Sequence, residues 1–164
     1  MRYTLLLNIA FCNVYFEDIT VDAGLSFSGF SQGVCLFDYN NDGMDDILFT
    51  TRTGGAIHLY RNDGNMKFTD VSIQSNLSVT MEARAVIAAD YDNDGDQDVF
   101  IGATDGISIL FQNDGYGNFQ DVTNLAGIII NDRVSGCSWL DYNQDGFLDL
   151  YVGLTYVSNM LFKN

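Results

Sequence analysis

The sequence predicts an all-β fold of propeller blades, about three four-stranded antiparallel sheets forming part of a propeller, and three observations carry that expectation. A nine-residue acidic loop recurs at 38–46, 90–98 and 141–149, its starts 52 and 51 residues apart. Around each loop lie short β-branched and aromatic runs broken by Asn/Asp-Gly turns, the pattern of an antiparallel meander. No stretch sustains apolar residues at helical spacing, so helix is expected to be nearly absent. Strands apolar on both faces, such as Ile47-Leu48-Phe49, suit sheets stacked face to face. Four-stranded units at a period near ~50 residues are expected to pack as blades about an axis.

Taken in order, residues 1–15 carry Arg2 and then an apolar run from Leu5 to Phe11. That run is too short for a bilayer, which needs about 20 residues, so no membrane span is expected. A short secretory signal peptide fits it. Lipidation at Cys12 and a truncated lead-in strand are the alternatives. The repeat domain is expected over 16–164, opening with Phe16–Thr20 as an outer, fourth strand. The first blade then reads Val34–Phe37, loop, Ile47–Thr50, Ile57–Tyr60, the turn Asn62-Asp63-Gly64, and Phe68–Ser72. The second reads Ala85–Ala89, loop, Val99–Ile101, Ile107–Phe111, the turn Asn113-Asp114-Gly115, and Phe119–Thr123. The third supplies Ser138–Leu140, loop, Leu150–Val152 and Asn159–Phe162. The expected total is twelve strands, with the first outer strand lacking a blade and the last blade lacking its outer strand. Propellers take about four to eight blades. The offset therefore predicts a piece of a propeller of about seven blades or a chain that assembles with its own copies, with apolar end faces left open.

The loops carry the chemistry. In the middle one, Asp90, Asp92, Asp94 and Asp98 occupy positions one, three, five and nine, and Gly95 makes the turn at six. Carboxylates this dense repel one another unless a hard dication lies among them. Ca²⁺ takes about six to eight oxygens, and a backbone carbonyl at position seven suits it, here that of Asp96. The first loop offers Asp38, Asn40, Asp42, Asp46 and the carbonyl of Met44. The third offers Asp141, Asn143, Asp145, Asp149 and the carbonyl of Phe147. About three Ca²⁺ ions in structural roles are expected, in preference to Mg²⁺, whose near-octahedral, partly hydrated site these loops do not match. An EF-hand is excluded because its bidentate acid at position twelve is replaced by Phe49, Ile101 and Val152, all strand hydrophobes.

Composition narrows the classes further. A hydrophobic content of 47% fits an ordinary core, and the net charge of −15 is local, with 12 of 22 acidic residues inside the three loops. Seven scattered basic residues do not make a nucleic-acid surface. Cys35 and Cys137 precede different loops and are expected to point in different directions as small buried hydrophobes, not as a disulfide. His58, the single histidine, sits in an apolar strand and reads as a packing or surface residue. Arg84 and Arg133 read as loop charges. No serine has a histidine partner, so no catalytic residue is assigned.

The loop pattern, with an apolar strand after it, resembles the Ca²⁺ loop of FG-GAP and VCBS repeats, as in integrin α-subunit propellers. The wider unit resembles more closely the ASPIC/UnbV, or cartilage-acidic-protein, group. Its motifs here are Phe16–Thr20 with Asp22–Leu25, the three loops, and Leu59–Gly64 with Phe68–Val71. The literal FG-GAP string is absent, with Phe100–Ala103 its nearest approach, and no ASPIC-type C-terminal segment is present. The resemblance implies a secreted, periplasmic or cell-surface module for adhesion or for protein or glycan interaction. The alternative it leaves is a fragment of a Ca²⁺-stabilised propeller enzyme, such as a polysaccharide lyase or a phospholipase-type ectoenzyme. A lyase needs a base and a cation converging in one cleft, and the bases here are sparse, so no enzyme activity is expected.

Overall fold

The computed structural model describes residues 15–52 and 54–164. The readings for residues 1–14, Cys12 among them, lie outside the described residues. Within them, eleven strands form three antiparallel sheets whose spatial order follows the chain, and no helix is present. The first sheet joins β1 (Ser31–Phe37), β2 (Asp46–Thr51), β3 (His58–Asn62) and β4 (Phe68–Asp70). The second joins β5 (Ala83–Ala89), β6 (Asp98–Ala103), β7 (Ile109–Asn113) and β8 (Phe119–Asp121). The third joins β9 (Val134–Leu140), β10 (Asp149–Leu154) and β11 (Met160–Phe162). Each acidic loop connects the first two strands of its sheet, and its ninth residue opens the second strand, paired as Phe37 with Asp46, Ala89 with Asp98 and Leu140 with Asp149.

The sheets stack through their inner strands, β1 on β5 and β5 on β9. This makes two cores. Phe37, Leu48, Leu59 and Ile101 belong to the one between the first and second blades, and Phe100, Leu110, Leu150 and Val152 to the one between the second and third. Successive strand residues point to opposite faces. Along β6, Val99 and Ile101 accordingly enter one core and Phe100 the other, and all six residues of the strand are buried. In β2 and β10, burial alternates along part of the strand. Burying Phe100 contributes about 1.5–3 kcal/mol from its apolar surface alone. The blades also approach closely at Gly102, where a Cβ would come within 2.5 Å of Val134 Cγ1.

The outer surfaces of the stack stay apolar. Val34 and Leu36 on β1 and Leu161 on β11 are exposed.

Two features differ from the sequence reading. Phe16–Thr20 is not a strand, the total is eleven rather than twelve, and Phe16 is wholly exposed. A strand exists only where its backbone groups meet a neighbour's, and this segment pairs with none of the eleven strands. The residues after it make a turn that recurs between blades. Ala23 N–H bonds to the Ile19 carbonyl (2.8 Å), Ser75 to Val71 (2.9 Å) and Ala126 to Val122 (2.9 Å). The Ala23 carbonyl then accepts from Phe68 N–H and the Ser75 carbonyl from Phe119 N–H, both at 2.9 Å, so the first two of these turns anchor the outer strands β4 and β8.

Candidate metal centre

Each loop is closed by its own acids. Asp38 accepts the N–H groups of Asp42 (3.1 Å) and Gly43 (2.7 Å), and Asp90 those of Asp94 and Gly95, both 3.0 Å. Asp141 repeats this with Asp145 (3.1 Å) and Gly146 (2.9 Å). The position-five acids Asp42, Asp94 and Asp145 accept from the N–H of Met44, Asp96 and Phe147. Two left-handed residues in each loop make this curl: Asn41, Asn93 and Gln144 at position four, and Gly43, Gly95 and Gly146 at six. Short polar side chains tolerate the left-handed region, and glycine enters it without steric cost.

Position nine is the deepest. Asp46, Asp98 and Asp149 are all fully buried. Each clamps two N–H groups, one at loop position two and one at or just after the end of the third strand. Asp98 accepts from Tyr91 (3.3 Å) and Asn113 (2.8 Å); Asp46 does the same with Tyr39 and Asn62, and Asp149 with Tyr142 and Asn164. Burial pushes the carboxyl of Asp46 up to about 6 and that of Asp98 up to about 7, against the opposing pull of those backbone donors. Carboxylate oxygens have more than one lone pair, so these clamps leave room for a cation.

The middle loop differs from its neighbours at position three. Asn40 donates its side-chain amide to Asp42 (3.0 Å) and Asn143 to Asp145 (2.8 Å), whereas Asp92 has no proton to donate when ionised. Asp92 Oδ2 takes the amide of Gln112 at 2.6 Å. Its Oδ1 is buried and has no hydrogen-bond partner among the described residues. Asp90, Asp92 and Asp98 present carboxylate oxygens that all lie within 4.8 Å of one another. Burial, and then the neighbouring Asp94 carboxylate, raises the pKa of Asp92. An unpartnered buried oxygen among three acids is unfavourable alone and fits a hard, oxygen-seeking dication. The middle loop thus brings Asp90, Asp92 and Asp98 together, while Asp94 stands outside that trio with its Oδ1 on the loop backbone.

The sequence reading missed a set of asparagines that join one loop to the next. Asn41 donates to the Asp96 carboxylate (2.5 Å), and Asn93 to the Gly146 carbonyl (3.0 Å). Asn113 donates to the carbonyls of Tyr39 (2.8 Å) and Gln97 (3.2 Å), and Asn164 to those of Tyr91 (2.7 Å) and Leu148 (3.4 Å). The signal available was the asparagine that closes Leu59–Asn62, Leu110–Asn113 and Leu161–Asn164 alike.

The other residues singled out have ordinary environments. His58 stacks on Phe49, 5.0 Å between ring centroids, and pairs with Asp70 at 3.2 Å. Arg84 reaches Gln32 at 3.4 Å from within β5 itself, so it is a strand residue and not a loop charge. The Cys35 and Cys137 thiols are free and partly buried. Burial pushes the Cys137 thiol up to about 12, and the two cysteines pack against different cores, Cys35 against that of the first and second blades and Cys137 against that of the second and third.

Stacked antiparallel blades, each with an acidic loop between its first two strands, define a propeller-type repeat protein. The FG-GAP-like repeat model matches residues 38–101 and again 90–152, together more than half of the chain. The chain belongs to the FG-GAP-like repeat family. It is 39% identical over 71 residues to cartilage acidic protein 1 of Xenopus tropicalis, covering 42% of this chain and 11% of that protein. Against cartilage acidic protein 1 of Mus musculus the identity is 28% over 149 residues, 84% of this chain and 23% of the relative. The Homo sapiens protein is 27% identical over 130 residues, 73% of this chain and 19% of the relative. The chain spans under a quarter of the curated relatives it matches.

Proposed function

We propose that this chain is an extracellular Ca²⁺-binding propeller module that mediates adhesion or a protein or glycan interaction, and that it is not an enzyme. The ions have a structural role, each holding the loop between the first two strands of a blade. The observation that carries this reading is the Asp92 Oδ1 atom, buried beside Asp90 and Asp98 without a hydrogen-bond donor. A cation there removes the repulsion of the trio and satisfies the orphaned oxygen. Asp38, Asn40, Asp42 and Asp46 with the Met44 carbonyl would hold a second ion, and Asp141, Asn143, Asp145 and Asp149 with the Phe147 carbonyl a third. In the middle loop, Asp94 and the Asp96 carbonyl would complete the ligand set. Loops that carry ions at one end of the blades offer a rigid polar rim to a partner. The relatives bear the name of a cartilage protein, which supports a secreted setting for this chain as well.

Calorimetric titration of the full chain tests the metal reading. Ca²⁺ is expected to bind more tightly than Mg²⁺, and binding should raise the melting temperature. At a hundredfold excess over Kd, each site adds about 2.7 kcal/mol. Equal or tighter Mg²⁺ binding, or a melting curve indifferent to EDTA, overturns it.

A further inference from the structure

Asn76-Leu77-Ser78 is the single Asn-X-Ser/Thr sequence in the 164 residues, and the metal loops do not use it. It lies in the turn that recurs between blades. Asn76 N–H bonds to the Ile73 carbonyl (3.2 Å), as Gly24 does to Val21 (3.2 Å) and Gly127 to Asn124 (3.3 Å). All three residues are left-handed, with φ of +80° at Gly24, +62° at Asn76 and +69° at Gly127. Glycine enters this region without steric cost, and asparagine is among the few other residues that tolerate it. Turn geometry is served by glycine in two repeats, so the Asn76 side chain is surplus to the fold. Its amide is exposed and makes no hydrogen bond among the described residues, and the same holds for the Ser78 hydroxyl. Leu77, between them, is wholly buried and fixes the segment to the core of the first two blades.

Asn76 borders a polar cleft of about 540 Å³, whose walls include Asp94, Gln112, Asp114, Asn118 and Gln120. In the first blade the corresponding residues close on one another. Lys67 reaches across to the Asp22 carbonyl of the turn, while Arg61 and Thr69 both bond to Asp63, at 2.7 and 2.5 Å. At the places 51 positions on from Arg61, Lys67 and Thr69, the second blade has the uncharged amides Gln112, Asn118 and Gln120. Gln112 turns to Asp92 and Asn118 back to Asp114, so neither crosses to the turn. Gln120 has no side-chain hydrogen bond among the described residues. The walls thus offer carboxylate acceptors beside amide donors and acceptors, which suits a neutral ligand rich in hydroxyl and acetamido groups.

We propose that Asn76 carries an N-linked oligosaccharide whose innermost N-acetylhexosamine lies in this cleft. Asn-X-Ser/Thr is the acceptor sequence for such a glycan, which needs a surface position. The site rests on the extracellular setting of the proposed function, because the donor, a polyprenyl-diphosphate-linked oligosaccharide, belongs to the secretory route. In the transfer, Nδ2 of Asn76 forms a bond to C1 of the donor's first sugar. The bond from C1 to the diphosphate oxygen breaks, its electron pair leaves with the polyprenyl diphosphate, and one amide proton is released. Nothing is oxidised or reduced. Once attached, the sugar's hydroxyls would donate to Asp94 and Asp114, and its acetamido group would meet the free amide of Gln120. The glycan would so tie the interblade turn to outer strand β8.

The full chain, placed behind a heterologous secretion leader in eukaryotic cells and purified in saturating Ca²⁺, tests this. The leader carries it into the secretory pathway whatever its own first residues do, so a missing glycan counts against this site and not against the extracellular setting. Intact mass should show one oligosaccharide on wild type and on Ser78→Thr. It should show none on Ser78→Ala or on Asn76→Gly, the latter keeping the residue of the other two turns. Trimming the glycan to a single N-acetylhexosamine should leave the melting temperature unchanged. Ser78→Ala should lower it by about 2–4 °C, the shift for one net hydrogen bond in a chain of this size. Gln120→Ala should lower it in the glycosylated protein and not in the Ser78→Ala background. Wild type without a glycan overturns the site. A glycan whose loss leaves the melting temperature unmoved, or a Gln120→Ala shift equal in both backgrounds, overturns its seat in the cleft.

Discussion

Asn113, the last residue of β7 in the second blade, donates its side-chain amide to the Tyr39 carbonyl in the first blade's loop, 2.8 Å away. Asn164 does the same to Tyr91 one repeat later, at 2.7 Å. In each case the backbone N–H of that asparagine is held by the buried position-nine acid of its own loop. One residue thus ties a strand end, its own loop and the loop of the preceding blade.

Replacing Asn113 by alanine should leave the buried end of that network without its donor. A cost of about 1–3 kcal/mol is expected, the range for an unsatisfied buried polar group. Urea unfolding should show a lower midpoint at unchanged slope. An unchanged midpoint would mean that the blade contact is held by apolar packing alone.

Asp92→Asn makes the middle loop resemble its neighbours, and its two expected effects have opposite sign. Without metal the variant should melt higher, because a buried, unpartnered charge beside Asp90 and Asp98 is gone. Its Ca²⁺ affinity should fall about tenfold or more, each tenfold being ~1.4 kcal/mol. Paired melting curves in EDTA and in Ca²⁺ measure both. Two shifts of the same sign would show that Asp92 is not a ligand.

The metal-free protein should grow more stable as pH falls from about 8 to about 5. Burial raises the folded pKa of Asp98 to about 7 and of Asp46 to about 6, above the ~3.9 of an unfolded aspartate. A carboxyl raised in this way binds its proton more tightly in the folded state, so its contribution is complete below ~4 and is lost as pH rises through 6–7. Acids held low by hydrogen bonds, such as Asp63 and Asp114, act in the reverse direction and bring stability down again in stronger acid. For a chain of this size each kcal/mol moves the melting temperature by about 2–4 °C. Calorimetry in EDTA across this range checks the sign, and Ca²⁺, which takes the place of the proton, should flatten the profile.

Gly95→Ala should cost about 1–2 kcal/mol and weaken the middle metal loop. Its φ is +98°, and a Cβ there would meet nothing within 4 Å, so the whole cost is backbone strain. Thermal melts with and without Ca²⁺ measure it, and an alanine variant that melts like wild type would show that the loop relaxes to another path.

The blades were legible because their causes are local. Apolar residues on both faces of Val99–Ile101 require a strand covered on both sides, and the Asn-Asp-Gly turns return the chain antiparallel. The spacing of Asp90, Asp92, Asp94 and Asp98 around Gly95 marks an oxygen-rich loop without reference to any other part of the molecule. Phe16–Thr20 was misjudged for the complementary reason. It has the composition of the other outer strands, but a strand is made by its neighbour, and sequence spacing does not say where a free sheet edge lies.

The sequence by itself determined the repeat, its strands and turns, and the acids of each loop, because side-chain alternation, turn chemistry and charge density act over a few residues. Tertiary structure alone decided which acids converge and which are buried. Asp98 is sealed because the end of the third strand and the start of its own loop close over it, Asn113 and Tyr91 each donating a backbone N–H, and Asp46 and Asp149 are sealed in the same way. Asp92 keeps an unpartnered oxygen because Gln112, on the third strand of the sheet, reaches only the other one. Asn113 becomes a bridge because stacking carries the Tyr39 carbonyl of another repeat to within hydrogen-bonding distance. Desolvation and long-range hydrogen bonds depend on what the fold places around a group, and residues separated by 74 positions in the chain meet only when the blades pack.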